Sequence, residues 1–170
     1  MARRLPHRPI LSRAAARGFT IVELVITVAI IALLATAVVP SAQLFYQRQR
    51  ETELREVLRT LRTAIDAYKK AAETGHIKVD AEKTGYPPDL QTLVDGVDDA
   101  SNPKEGVKIY FLRRIPRDPF WPDATAAPAD TWGLRSYASP PDDPQAGDDV
   151  YDVYSKSSKT GLNSVPYREW

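Results

Sequence analysis

The chain has 170 residues, 43% of them hydrophobic and 26% charged, with no cysteine and a formal net charge of +1. That length holds one modest folded domain and excludes a large enzyme core, and without cysteine no disulfide can reinforce a small exported domain. The near-zero charge hides an asymmetry: Arg3, Arg4, Arg8, Arg13 and Arg17 precede Phe19 and no acidic residue does, so the chain from Phe19 onward carries 18 basic and 22 acidic side chains, a net of −4.

After this basic leader comes an apolar run from Phe19 to Val39, 21 residues, interrupted early by Glu23. The run meets the roughly 20 residues needed to span a bilayer. Arginines ahead of it keep the amino terminus cytoplasmic and send the remainder across. A carboxylate in such a segment costs roughly 2.5 to 3.5 kcal/mol, which makes Glu23 a functional-site candidate by default. A cleavable secretory signal ending at Ala35-Thr36-Ala37, releasing a soluble exported binding domain, is one account of these residues; an uncleaved anchor is another. Neither uses Glu23. Gly18-Phe19-Thr20-Ile21-Val22-Glu23-Leu24, with an Arg-rich leader before it and the apolar run after it, resembles the class III signal of type IV pilins and type II secretion pseudopilins.

That resemblance implies that residues 1–18 are a leader, cut by a prepilin peptidase between Gly18 and Phe19. Phe19 becomes the N-methylated first residue of a 152-residue subunit. Residues 19–39 would then be a transmembrane helix that later lies in a filament core. It also implies that Glu23 of an incoming subunit meets the Phe19 amine of its neighbour, two charges that are tolerable in low dielectric only when paired.

Residues 40–74 read as an amphipathic continuation of the same helix. Leu54, Val57, Leu58, Leu61, Ala64, Ile65, Tyr68, Ala71 and Ala72 follow the i, i+3, i+4, i+7 spacing of one face. Glu51, Glu53, Arg55, Glu56, Arg59 and Arg62 lie between or before them, with Glu51 and Arg55 in favourable i, i+4 order. Gly75 is the expected left-handed cap. Pro40 costs about 3 kcal/mol in a helix interior. Ser41-Ala42-Gln43-Leu44-Phe45 has little turn chemistry, so a kinked, continuous helix is expected; in pilins a proline at this place separates the membrane half from the half beneath the head.

Residues 75–170 are loop-rich and form the expected periplasmic head. Pro87 to Val94 predicts a short helix with Leu90, Leu93 and Val94 on one face, Asp95-Gly96 a turn, and Val107 to Ile115 an apolar run too short to assign. Trp132–Ala138 and Asp149–Ser155 predict two strands joined by an acidic loop, and Tyr167–Trp170 a last strand completing a small antiparallel sheet covered by the apolar stripe of the long helix. The expected fold is α+β and pilin-like.

Tyr86-Pro87-Pro88, the stretch Leu112 to Phe120, a Trp-Gly, a Tyr-x-Ser-Pro and the Tyr-Asp-Val-Tyr-Ser run make the chain resemble the major (G-type) pseudopilin of type II secretion. The implied partners are other copies of the chain, a prepilin peptidase, an inner-membrane assembly platform with its ATPase, minor pseudopilins, and membrane lipid before assembly. A type IV pilus subunit for adhesion, twitching or DNA uptake is the alternative. Such pseudopilins hold calcium in a carboxy-terminal loop, but here residues 155–166 contain two lysines and no carboxylate, so no ligand carries over and no cofactor is expected. Asp142, Asp143, Asp148 and Asp149 are substitute metal candidates, though they lack EF-hand spacing. Arg113, Arg114 and Arg117 among Tyr110, Phe111, Phe120 and Trp121 mix cations with stacking faces, yet a net acidic chain argues against nucleic acid. No catalyst is expected, because only His7 and His76 occur and no nucleophile or metal-ligand spacing accompanies them.

Overall fold

The computed structural model describes residues 18–102, 104 and 106–170, with the side chains of residues 37–41 outside the description. Of the expected leader, residues 1–18, only Gly18 is among the described residues. The chain divides into two compact units, Met1–Gln43 and Leu44–Trp170, and the first helix, α1 (Ile21–Glu73), contributes to both.

In the first unit, α1 follows Gly18-Phe19-Thr20, which lie outside regular secondary structure. Every large apolar side chain from Phe19 to Leu34 is more than half exposed. The helical backbone runs through Pro40 without interruption, as the poor turn chemistry after that proline led one to expect. Among the described residues no helix is long and apolar enough to cross a membrane. The side chains described without a break from the start of α1 end at Thr36, 16 residues on, and the span expected from the sequence closes only with residues 37–39.

The second unit is α+β. The carboxy-terminal half of α1 buries Leu54, Leu58, Leu61, Ala64, Ile65 and Tyr68 in one core with Leu90, Leu93, Trp132, Val150, Val153 and Tyr167, the stripe that the period of 3.6 prescribes. α1 ends in a Schellman motif: Gly75 takes φ +79°, its N–H donates to the Ala72 carbonyl at 3.2 Å, and the His76 N–H donates to that of Ala71 at 2.9 Å. A short α2 (Thr92–Asp95) follows. β1 (Val97–Asp98) and β2 (Lys108–Ile109) then form one antiparallel pair. After a 3-10 turn at Pro128–Thr131, β3 (Trp132–Arg135) pairs antiparallel with β4 (Asp152–Ser155), Trp132 opposite Ser155 and Arg135 opposite Asp152.

Three local expectations are corrected. The helix at Pro87 to Val94 shrinks to Thr92–Asp95, because Asp89 Oδ1 accepts from both the Thr92 N–H (2.7 Å) and hydroxyl (2.9 Å) and holds the preceding residues in a turn. The last strand is instead a 3-10 helix, Tyr167–Glu169. Pro166 has no N–H to give a ladder, and the Tyr167 ring stacks on Phe120 at 4.0 Å instead of lying in a sheet. The expected single sheet is therefore only the β3–β4 pair, and β1–β2, formed outside the segments expected to be strands, is a separate two-stranded pair. β3 and β4 are also shorter than expected. Their close approach is set by Gly133, opposite Tyr154, where a Cβ would fall 2.2 Å from the tyrosine ring.

Pairs of strands this short are not independently stable, so the core rests on α1. Leu61→Ala, at a side chain with no exposure, is expected to destabilise the second unit by about 2 to 5 kcal/mol, measured by urea denaturation followed through tryptophan fluorescence.

Candidate functional site

The candidate site at the amino-terminal end is built by the start of α1. Thr20 Oγ1 accepts from the Glu23 backbone N–H at 3.2 Å, the bond an N-cap makes to the third helical residue. Thr20-x-x-Glu23 has the pattern of a capping box, in which the glutamate would reach back to the cap residue's N–H. Among the described residues the Glu23 carboxylate makes no hydrogen bond or ion pair. The two other polar side chains between Ile21 and Thr36 are satisfied within the helix: the Thr27 hydroxyl donates to the Leu24 carbonyl at 2.9 Å and that of Thr36 to Leu33 at 2.7 Å. Glu23 is thus the one polar side chain in that stretch without a partner, and it stands on an otherwise apolar, exposed surface. Gly18 and Phe19 precede the helix, exposed and outside any regular secondary structure. Thr20 went unnoticed in the sequence, although the spacing S/T-x-x-E was there to be read. The fourth expected site residue, Pro40, lies within α1, and its side chain is outside the description.

The carboxy-terminal loop is held by two buried carboxylates whose partners no sequence argument supplied. Glu51, 4% exposed, accepts at Oε1 from the Leu162 N–H (2.8 Å), the Tyr167 hydroxyl (2.9 Å) and the Gln47 side-chain amide (3.2 Å). It does not pair with Arg55 as its i, i+4 spacing suggested; the Arg55 guanidinium lies 4.2 Å over the Trp170 ring. Burial and the Glu51 charge both push the Tyr167 hydroxyl above its usual range, while the Gln47 amide pulls it down. Asp118, also buried, accepts from the Ser155 hydroxyl at 2.5 Å and the Phe120 N–H at 2.7 Å. A sequence signal for Glu51 did exist, since positions 51, 54, 58, 61 and 65 share one stripe. Arg62 completes the clamp, donating to Asp152 at 2.8 Å and to the Trp170 carbonyl at 2.7 Å.

These carboxylates face N–H and O–H donors, which is the wrong environment for a cation. Residues 155–166 themselves offer only hydroxyls, amides and carbonyls. Among the described residues no group of three or more His, Cys, Asp or Glu is placed to hold a metal ion. Of the acidic loop, Asp149 accepts from the Thr84 hydroxyl and the Tyr137 N–H (2.8 Å), and Asp143 Oδ1 accepts from the Gln145 amide at 2.9 Å. Part of the mixed cationic and aromatic segment is committed inward: Arg117 donates to the carbonyls of Asp123 and Ala126, Phe111 packs on Tyr68, and Phe120 on Tyr167, while Tyr110, Arg113 and Arg114 are exposed.

His76, Asp99 and Ser101 form a hydrogen-bonded cluster without triad geometry. Asp99 Oδ1 (3.2 Å) and Ser101 Oγ (2.8 Å) both approach Nδ1 of the imidazole, whereas a serine nucleophile needs its base at the other ring nitrogen. The Ser101 hydroxyl donates to Asp99 Oδ1 at 2.6 Å, so Nδ1 carries the proton. The cluster ties the end of α1 to the segment after β1, where the Ala100 N–H also reaches the His76 carbonyl at 2.8 Å.

Residues 13–39 match the family model of the prokaryotic N-terminal methylation motif. The match covers 27 of the 170 residues and supports a type IV pilin-like or prepilin-like chain. No curated protein and no solved structure matches.

The Asp99 carboxyl is held below its ordinary value of 3.8, first by the Ser101 hydroxyl and then by the Ser101 N–H and His76. A depressed folded value means that the stabilisation is present above the unfolded value and lost as pH falls through the folded one. An NMR titration of the Asp99 carboxyl is expected to give a midpoint below 3.8, and Ser101→Ala to raise that midpoint.

Proposed function

We propose that the chain is a structural subunit of a type II secretion pseudopilus, made as a precursor, cut between Gly18 and Phe19 by a prepilin peptidase, N-methylated at Phe19 and assembled into a periplasmic filament that drives protein export. The observation that carries this reading is the methylation motif over residues 13–39, joined to a helix start that leaves the Glu23 carboxylate without a partner. Cutting at Gly18 creates an amine at Phe19. Among the described residues the Glu23 carboxylate does not close the capping box back onto the Thr20 N–H, so it is open to the Phe19 amine of a neighbouring subunit, and a pair formed in low dielectric removes the cost of two isolated charges.

The exposed apolar side chains from Phe19 to Leu34 support the same reading. A surface of that extent needs cover, from inner-membrane lipid before assembly and from other copies of the segment afterwards. Thr27 and Thr36 add no unpaired polar group to it. Before assembly the subunit is a single-pass inner-membrane protein with its amino terminus cytoplasmic and its head periplasmic. Pro40, lacking an N–H, removes one hydrogen bond from α1 and marks where the helix yields most readily. The role is structural, not catalytic.

Mass spectrometry of the full chain from cells containing a prepilin peptidase is expected to show a subunit beginning at N-methyl-Phe19; a subunit beginning at Val38 would refute the reading. Glu23→Ala is expected to leave cleavage intact and abolish filaments, and normal filaments from that variant would sink the charge-pairing argument. We further infer that the head folds without calcium, since Glu51 and Asp118 already bind the segments around the carboxy-terminal loop. Thermal unfolding of the purified chain should therefore keep its midpoint on adding either EGTA or millimolar calcium, whereas a calcium-dependent rise would place a metal site in the head.

A further inference from the structure

Four arginines of α1 line up on one face. Arg55, Arg59 and Arg62 lie seven, eleven and fourteen residues after Arg48, close to two, three and four turns. Arg62 is committed to Asp152. Arg48, Arg55 and Arg59 are exposed and, among the described residues, have no carboxylate within 4.0 Å. Glu53 falls well off this line, and Glu56 lies about 80° from Arg48 around the helix. Arg55 and Arg59 border a cleft of about 590 Å³ between α1 and the carboxy-terminal segment, floored by Leu58 and Trp170 and edged by Asp66 and Glu169.

The opposite charge sits on the loop between β3 and β4. Residues 140–149 contain Asp142, Asp143, Asp148 and Asp149 and no basic residue. The loop is braced rather than slack: the Ser136 N–H donates to the Gln145 carbonyl (2.9 Å), the Gln145 N–H to Ser139 Oγ (2.8 Å), and the Ser139 hydroxyl to the Asp143 carbonyl (3.0 Å). Asp142 and Asp148 are exposed and, among the described residues, accept no hydrogen bond. A braced loop loses little entropy on docking.

We propose that the acidic loop 140–149 of one copy docks on the Arg48-Arg55-Arg59 stripe of the next, with the loop entering the cleft beside Trp170. The two surfaces are different patches of the same chain, so the contact is heterologous, and a heterologous contact that does not close propagates as an open helix. The inference rests on the filament-subunit reading and adds to it the head surface that sets how copies follow one another. A chain of net −4 from Phe19 onward repels its copies unless its few cationic faces are placed where neighbouring acids arrive. Guanidinium groups suit this role, being able to hold a carboxylate in fork geometry.

The absence of cysteine permits a direct test in the full chain, produced in cells with a prepilin peptidase and an assembly platform. Two differently tagged copies, one Arg59→Cys and the other Asp142→Cys, are expected to give a mixed disulfide dimer on mild oxidation. Arg59→Cys paired with Asp80→Cys is the control and should give little. Charge reversal at Arg48→Glu and Arg59→Glu, or at Asp142→Lys and Asp148→Lys, is expected to cut the assembled fraction about tenfold, and the variant carrying all four to restore it. If wild type is processed and assembles but the 59–142 pair does not cross-link above the control, or the fourfold variant stays unassembled, the docking contact is overturned while the filament reading stands. A wild-type chain that is neither processed nor assembled overturns both.

Discussion

The second unit depends on the burial of one helical stripe. Its strands are two to four residues long and its other helices three or four, so no element except α1 presents enough apolar surface to organise a core. Leu54, Leu58, Leu61, Ile65 and Tyr68 supply that surface, and Leu90, Leu93, Trp132, Val153 and Tyr167 close over it. Because the partners come from chain positions far from the helix, the loops between them are constrained at both ends. Irregular segments therefore stay ordered through side-chain bonds to backbone groups, such as the Trp132 indole N–H to the Pro116 carbonyl at 2.8 Å, where a larger protein would use a wide sheet.

The stripe also explains why a carboxylate is buried at Glu51. An apolar residue there would pack as well, but the carboxy-terminal loop brings a backbone N–H and a tyrosine hydroxyl to that point with no other acceptor available. One oxygen taking three donors satisfies them together, and removing it would leave the buried Tyr167 hydroxyl without its acceptor, at about 1 to 3 kcal/mol. Arg62 plays the complementary part on the cationic side, tying α1 to Asp152 and to the Trp170 carbonyl. Anchors of opposite sign, eleven residues apart on one helix, fix the carboxy-terminal segment in a chain that has no cysteine for a disulfide.

What the sequence disclosed follows from the range of each interaction. The long helix, its buried face, the Gly75 cap and the pairing of the Trp132 and Asp152 segments depend on periodicity and local chemistry, and all were legible. The fate of Tyr167–Trp170 was not: its two aromatic residues suggest a strand, and only the distant Phe120 and Glu51 turn the segment into a 3-10 helix. Glu51 was misassigned for a related reason. A local i, i+4 partner at Arg55 was visible in the sequence, whereas Leu162 and Tyr167, more than a hundred residues away, were not.

The helix start shows the reverse case, where a local pattern is present yet only half used. Thr20-x-x-Glu23 could close a reciprocal capping box, which would stabilise the isolated helix and occupy the carboxylate. Thr20 makes its half of the bond and Glu23 does not. A glutamate in the first turn still complements the positive helix end, worth about 0.3 to 1 kcal/mol, but that gain is small beside the cost of a lone charge in an apolar surface. The imbalance favours any arrangement that brings a cation to Glu23. On the proposed filament reading that cation is the Phe19 amine, which exists only after a cut at Gly18, so processing and assembly are linked through a single unpaired charge.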